Sequence, residues 1–318
     1  MNSSSISIAW IISAYQKPEQ LIHIIERIAV GNDSVWLHYD RKSPSSELDI
    51  VRAHFKNNSK VHCFQKYSVF WGGIQSVWVD LFLAKQLLKS QLNYDYVVHL
   101  TGSTYPIKSD ESLRSFLLSH YGKTFLQLDP DEAIHELGSD RSRFYAKEHF
   151  GIFPGRNFPK YNFVMKLRYK INLKFLRFIK RLGLYRKNFS LPTSFPNVYR
   201  GFVQNVIFKD HYLAGLNDKR SRKLLRELKY TSSPDEVFFN TLMANTVSPD
   251  ELVTNNNLLF TYWRKSSASP DTLKESDLET LFISDRFFAR KFESLSLIQS
   301  VDQHINAADK EKFSADSI

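Results

Sequence analysis

Four residues, Ser233-Pro234-Asp235-Glu236, precede the apolar run "VFFNTL". Two adjacent carboxylates at a helix start suit general base chemistry, because a glutamate there can accept the proton of an attacking hydroxyl. The same residues also suit a purely structural role. Ser233 can cap the helix, Pro234 fits its first turn, and Asp235 favours the positive end of the dipole. Glu236, three residues after Ser233, has the spacing of a capping box. The segment alone leaves both readings open.

Three further clusters carry polar chemistry. "WLHYDRKS" (36–43) ends an apolar run in Asp40, which suits either hydrogen bonds to a ribose or base, or an ordinary Asx turn. "HLTGSTYPIKS" (99–109) runs into Gly102, Ser103 and Thr104, and Gly102 permits a tight turn and close ligand approach. His99 falls within the strand pattern and reads as a satisfied core histidine. "DRFFARKFES" (285–294) sets Arg290 and Lys291 between aromatics, and Arg264 in "YWRKSS" is a second basic site. Such cations can neutralise a diphosphate, or can be plain surface charge. No phosphate-loop spacing, no G-x-G-x-x-G, no zinc-ligand spacing and no G-x-S-x-G elbow is present. Asp129 and Asp131 have an Asp-x-Asp spacing that could hold a divalent metal, but Pro130 suits a turn there instead.

The elements that must position these residues alternate. Strands are expected at 6–13, 35–39, 61–64, 94–100 and 124–128, and helices at 18–29, 46–55, 73–91 and 110–121. This predicts an α/β fold with a mostly parallel sheet covered on both faces. Ligands then bind beyond the carboxyl ends of the strands, at 13–17, 38–42 and 101–106. The second half predicts a helix over 161–182, a strand over 202–208, the helix at 231–246, a strand in "LLFTYWRK" and a helix from about 274. We expect one domain over 1–300, with a nucleotide-binding half to 128 and an acceptor half from 129, then a polar tail over 301–318.

The formal net charge is +10, and the segment 156–187 holds eleven Lys or Arg and no Asp or Glu. Nucleic acid, an anionic membrane surface and a phosphate-bearing substrate are the candidate partners, and a solvated helix is the plain alternative. Phe163, Leu167, Ile171, Phe175, Phe178 and Leu182 alternate with bases in this stretch, a pattern suited to an interfacial helix. No recognised nucleic-acid module is present, which argues against nucleic acid. The single cysteine, Cys63, excludes an internal disulfide, and no segment has the length of a membrane span. A cytoplasmic location is expected, with peripheral contact at the inner face of the membrane.

Taken in order, "IISAYQKPEQLIHIIERI", "VWLHYDRKS", "VFWGGIQSVWVDLFLAKQLL", "YVVHLTGSTYPIKS", "SPDEVFFNTL" and "DLETLFISDRFFARKF" resemble the Core-2/I-branching glycosyltransferase family over about residues 6–293. That family includes branching β-1,6-N-acetylglucosaminyltransferases and peptide O-xylosyltransferases. The resemblance implies a GT-A type fold and an inverting transfer from a UDP-sugar without a metal cofactor. It implies Glu236 as catalytic base, Asp40 and Tyr15 at the nucleotide, and Lys291, Arg290 and Arg264 at the diphosphate. Trp71, Ser103, Thr104 and Asp235 fall in the donor-sugar or acceptor region. The family usually has His at the position of Tyr15 and Asp at that of Thr104, so donor specificity is altered or activity weakened. The expected function is transfer of N-acetylglucosamine or xylose to a hydroxyl of a glycan or lipid-linked acceptor in bacterial surface polysaccharide synthesis. A catalytically weakened nucleotide-sugar binder and a basic nucleic-acid-binding protein are the alternatives.

Overall fold

The computed structural model describes residues 6–129, 192–229, 231, 233–263 and 270–315, with Leu167, Ile171, Lys174 and Phe178 besides. The first half follows the alternation. Strands β1 (Ile8–Ala14), β2 (Ser34–Tyr39), β3 (Val61–Phe64) and β4 (Tyr96–Thr101) alternate with helices α1 (Pro18–Ile28), α2 (Ser45–His54) and α3 (Gln75–Ser90). After β4 come β5 (Tyr105–Pro106), α4 (Asp110–Ser119) and β6 (Thr124–Phe125). The second half supplies β7 (Val206–Phe208), α5 (Lys209–Asn217), α6 (Ser221–Glu227) and α7 (Asp235–Thr246). It ends with β8 (Leu252–Val253), β9 (Leu259–Thr261), α8 (Leu278–Ile283), β10 (Phe288–Arg290) and α9 (Leu295–Ala315).

The main sheet has the order β3-β2-β1-β4-β7-β6-β8, and only β7 runs against its neighbours. A second sheet, β5-β10-β9, carries the "FAR" strand. Strand β1 shows why the sheet is covered on both faces. Ile8, Trp10 and Ile12 enter one core with Leu21, Ile24, Ile25 and Ile28 of α1, at helical spacing. Ala9 and Ile11 enter the other with Val77, Leu83 and Leu87 of α3 and Val237, Phe238 and Leu242 of α7. A run buried on both sides reads as continuously apolar, as "IAWIISA" does.

Two expectations change. Residues 301–315, expected as a polar tail, are the end of α9, with Val301 and Ile305 buried against the α1-side core. His99 is a core residue against Tyr212 and Phe239, but among the described residues neither ring nitrogen finds a hydrogen-bond partner. Burial holds His99 near pKa 4, so it is neutral.

The parallel register places Ala14, Tyr39 and Thr101 at adjacent strand ends. Gly102 then packs where a Cβ would lie 2.9 Å from that of Ala14. Its N–H donates to Ser13 O at 3.0 Å, so the loop after β4 lies directly on β1.

Candidate active site

At the end of β2, His38 and Asp40 hold a neighbouring strap. His38 Nε2 accepts from the N–H groups of Lys66 (3.2 Å) and Tyr67 (3.0 Å). Burial lowers its pKa to about 4, which keeps that nitrogen an acceptor. Asp40 is buried; its Oδ1 accepts from Lys42 N at 2.8 Å and Val69 N at 3.3 Å, and Oδ2 lies 3.4 Å from Lys42 Nζ. The Asx-turn reading of Asp40 is therefore realised, and it coexists with a place at the carboxyl edge of the sheet. The strap delivers Trp71 and Gly72, and Gly72 O accepts the N–H of Ser233 at 3.1 Å.

That bond settles the geometry of Ser233-Pro234-Asp235-Glu236. Ser233 adopts φ 45°, a left-handed conformation, and the cap residue of α7 is Pro234 without a side-chain cap. The capping box does not form, because the Ser233 amide is taken by Gly72 and the Glu236 carboxylate points elsewhere. A non-glycine residue in this region costs about 1 kcal/mol or more, and such strain gathers at functional sites.

Glu236 meets Arg200 instead. Arg200 Nε and Nη2 lie 2.9 and 2.8 Å from the same carboxylate oxygen, Oε2. On its other side Arg200 lies 3.6 Å from Asp129 Oδ2. Burial, and then the Asp235 charge, push the Glu236 carboxyl up to about 7 against the pull of Arg200. A base poised near neutrality is suited to proton transfer. Arg290, on β10, is held down to about 10 by burial, opposed by the charges of Tyr15 and Glu236. Its Nε is a buried donor without a partner among the described residues.

The loop after β4 and the strand end after β10 are sewn together. Phe292 N donates to Ser103 O at 2.9 Å, and Gln20 Nε2 donates to Gly102 O (2.9 Å) and Phe292 O (3.1 Å). Lys17, also left-handed at φ 60°, reaches Glu293 O at 2.7 Å. Lys291 Nζ stands 3.5 Å from Glu293.

The predicted residues therefore divide. The links above tie Glu236, Asp235, Arg290, Lys291, Ser103 and Asp40 into one region, and the exposed rings of Tyr15 (58%) and Trp71 (65%) border it. Thr104 is different: it is fully buried, and its hydroxyl meets that of Thr101 at 2.9 Å. It shapes the loop from inside and offers no group to the surface. Arg264 and Asp131 lie outside the described residues, as does most of the basic segment 156–187. Among the described residues no three His, Cys, Asp or Glu gather to hold a metal ion. Arg200 and Gln20 are the site residues that sequence reasoning missed. Both act through contacts distant in sequence, and no local motif marks them.

The Core-2/I-Branching enzyme family model matches residues 8–143 and 154–285, and the chain belongs to that family. Its sheet is the GT-A type arrangement expected for such a member. Xylosyltransferase oxt of Drosophila melanogaster is 21% identical over 309 residues, which cover 91% of this chain and 32% of that protein. Xylosyltransferase 2 of Homo sapiens is 24% identical over 330 residues, covering 96% and 34%. The chain thus spans about a third of the length of these curated relatives. Among solved structures, galactosyltransferase LgtC with donor and acceptor sugar analogs gives a TM-score of 0.41 at 7% identity, over 91% of this chain and 88% of that one. Mouse xyloside xylosyltransferase 1 in its apo form gives 0.37 at 9% identity, over 89% and 97%.

Proposed function

We propose that the chain is a metal-independent, inverting glycosyltransferase that moves a sugar from a UDP-sugar to a hydroxyl of a glycan or lipid-linked acceptor. The observation that carries this is Glu236: a carboxylate with a raised pKa at the start of α7, oriented by Arg200 and facing the charge of Arg290. The reaction is a single in-line displacement. The acceptor oxygen attacks the anomeric carbon as Glu236 takes its proton. The bond to UDP breaks on the opposite face, and configuration inverts. Arg290 and Lys291, joined by Arg264, meet the negative charge that grows on the diphosphate. Asp40 and Tyr15 stand where the nucleoside would lie, beyond the ends of β2 and β1.

Family membership favours N-acetylglucosamine or xylose as the sugar, the former first. Incubation with UDP-N-acetylglucosamine and UDP-xylose, each with mixed glycan acceptors, should release UDP fastest with UDP-N-acetylglucosamine. Tight binding of both donors with no turnover of either would instead favour a weakened binder, the reading that Thr104 suggests.

On this reading the acceptor lies at the inner face of a bacterial membrane, in surface polysaccharide synthesis. Leu167, Ile171, Lys174 and Phe178 are helical and all exposed, at spacings of one helix face. Three exposed apolar side chains and a lysine on one face of a strongly basic segment suit anionic lipid. No helix among the described residues is long and apolar enough to cross a membrane. Flotation with vesicles containing phosphatidylglycerol should carry the protein upward, and phosphatidylcholine vesicles should not. Equal behaviour on both would remove the membrane assignment and leave the transferase assignment intact.

A further inference from the structure

We propose that Arg200 is the positioning residue of the base: it pins Oε2 of Glu236 and so aims Oε1 at the acceptor hydroxyl. This rests on Glu236 being the base. Arg200 places two N–H groups on one oxygen, at 2.9 and 2.8 Å, while Oε1 accepts no hydrogen bond among the described residues. A carboxylate held at one oxygen by a planar fork loses its freedom to rotate, and the other oxygen keeps its lone pairs for an incoming proton.

The clamp is itself rigid. Arg200 O accepts from Asp129 N, and the next residue's amide, Gly201 N, donates to Glu236 O; both distances are 2.8 Å. Gly201 packs so closely that a Cβ would fall 2.2 Å from Gln127 O, so the main chain beside Arg200 has little room to move. Asn240 Nδ2 also donates to Glu236 O at 2.8 Å. The backbones of arginine and glutamate are thus fixed to each other independently of their side chains.

Four charged groups face Glu236. Asp235 comes from its own helix, Arg200 and Asp129 from the segments beside β7 and β6, and Arg290 from β10. Asp129 competes for Arg200 and opposes ionisation of Glu236, whereas Arg200 favours it. The two neighbours should therefore move the acid limb of a pH–rate profile in opposite directions.

The test measures kcat and KM for the UDP-sugar against pH in Arg200→Gln, Arg200→Lys and Asp129→Asn, with Glu236→Gln as control. Arg200→Gln should lower kcat about 10–10²-fold, the scale of a misplaced catalytic group, with KM changed less than about twofold. Its acid limb should move to higher pH. Arg200→Lys should return the limb toward its original position without restoring full kcat, because an ammonium supplies charge but no fork. Asp129→Asn should move the limb to lower pH, and it carries the test should Arg200→Gln fail to fold. A Glu236→Gln enzyme of near-normal rate would sink the base assignment itself. With Glu236→Gln inactive, an unmoved limb and unchanged kcat in the folded Arg200 or Asp129 variants would overturn the positioning role alone.

Discussion

Replacing Glu236 with glutamine is expected to lower turnover by roughly 10²–10⁴-fold, the usual contribution of a general base, while UDP affinity stays near normal. The amide keeps the side chain's shape and one acceptor oxygen for Arg200, so the fold has no steric reason to change. What is lost is the lone acceptor that becomes a carboxylic acid as the acceptor oxygen attacks. The pH dependence gives a second signature. The carboxyl, ordinarily near 4.5, is pushed up to about 7, chiefly by burial and then by Asp235. The base works only when ionised, so kcat/KM should rise about tenfold per pH unit below that value and level off above it. Glu236→Gln should abolish this limb. Near-normal turnover in a folded Glu236→Gln protein, measured by UDP release, would remove the base assignment.

The second large effect is expected at Lys291. The diphosphate gains charge as the sugar leaves, and a cation fixed in place beforehand stabilises that charge without reorganising. Lys291 is fixed through its main chain: Leu273 N donates to its carbonyl at 2.9 Å, and the following Phe292 is tied to Ser103. Its Nζ contacts Glu293, a contact exchangeable for phosphate oxygens. Lys291→Ala should lower kcat by about 10²–10³-fold, the scale seen when one preorganised charge donor is removed. UDP affinity should fall as well, since the leaving diphosphate and bound UDP share the contact. Lys291→Arg should recover part of both, because the charge persists with different geometry. A Lys291→Ala enzyme that binds UDP normally and turns over normally would place the diphosphate elsewhere.

The strand–helix alternation of the first half was legible because each element is long and buried on a regular stripe, as Leu21, Ile24, Ile25 and Ile28 show. Strand ends then located Asp40 and Ser103. The second half was less legible for a physical reason: β7, β8, β9 and β10 have only two or three residues each, too few to show a period. The reversal of β7 and the separate β5-β10-β9 sheet left no local trace. The capping box at Ser233–Glu236 was a correct local pattern overridden by a distant partner, Gly72 O. Arg200 joins Glu236 across 36 positions, and no spacing rule reaches that far. The helical continuation past 301 was readable after all, since Leu297, Ile298, Val301 and Ile305 lie on one helix face. The charged run at 309–312 of the sequence concealed it. Thr104 shows the opposite limit: a motif position located the loop but not the direction of the side chain, which is buried.

Calorimetric titration of UDP into the purified protein in EDTA, at moderate salt, is the most direct measurement of a metal-independent nucleotide-sugar site. The expected result is one site of micromolar Kd, weakened in Lys291→Ala and unchanged in Glu236→Gln. Binding that appears only when manganese is supplied would contradict metal independence and return attention to Asp129 and Asp131. No binding under either condition would contradict the nucleotide site itself.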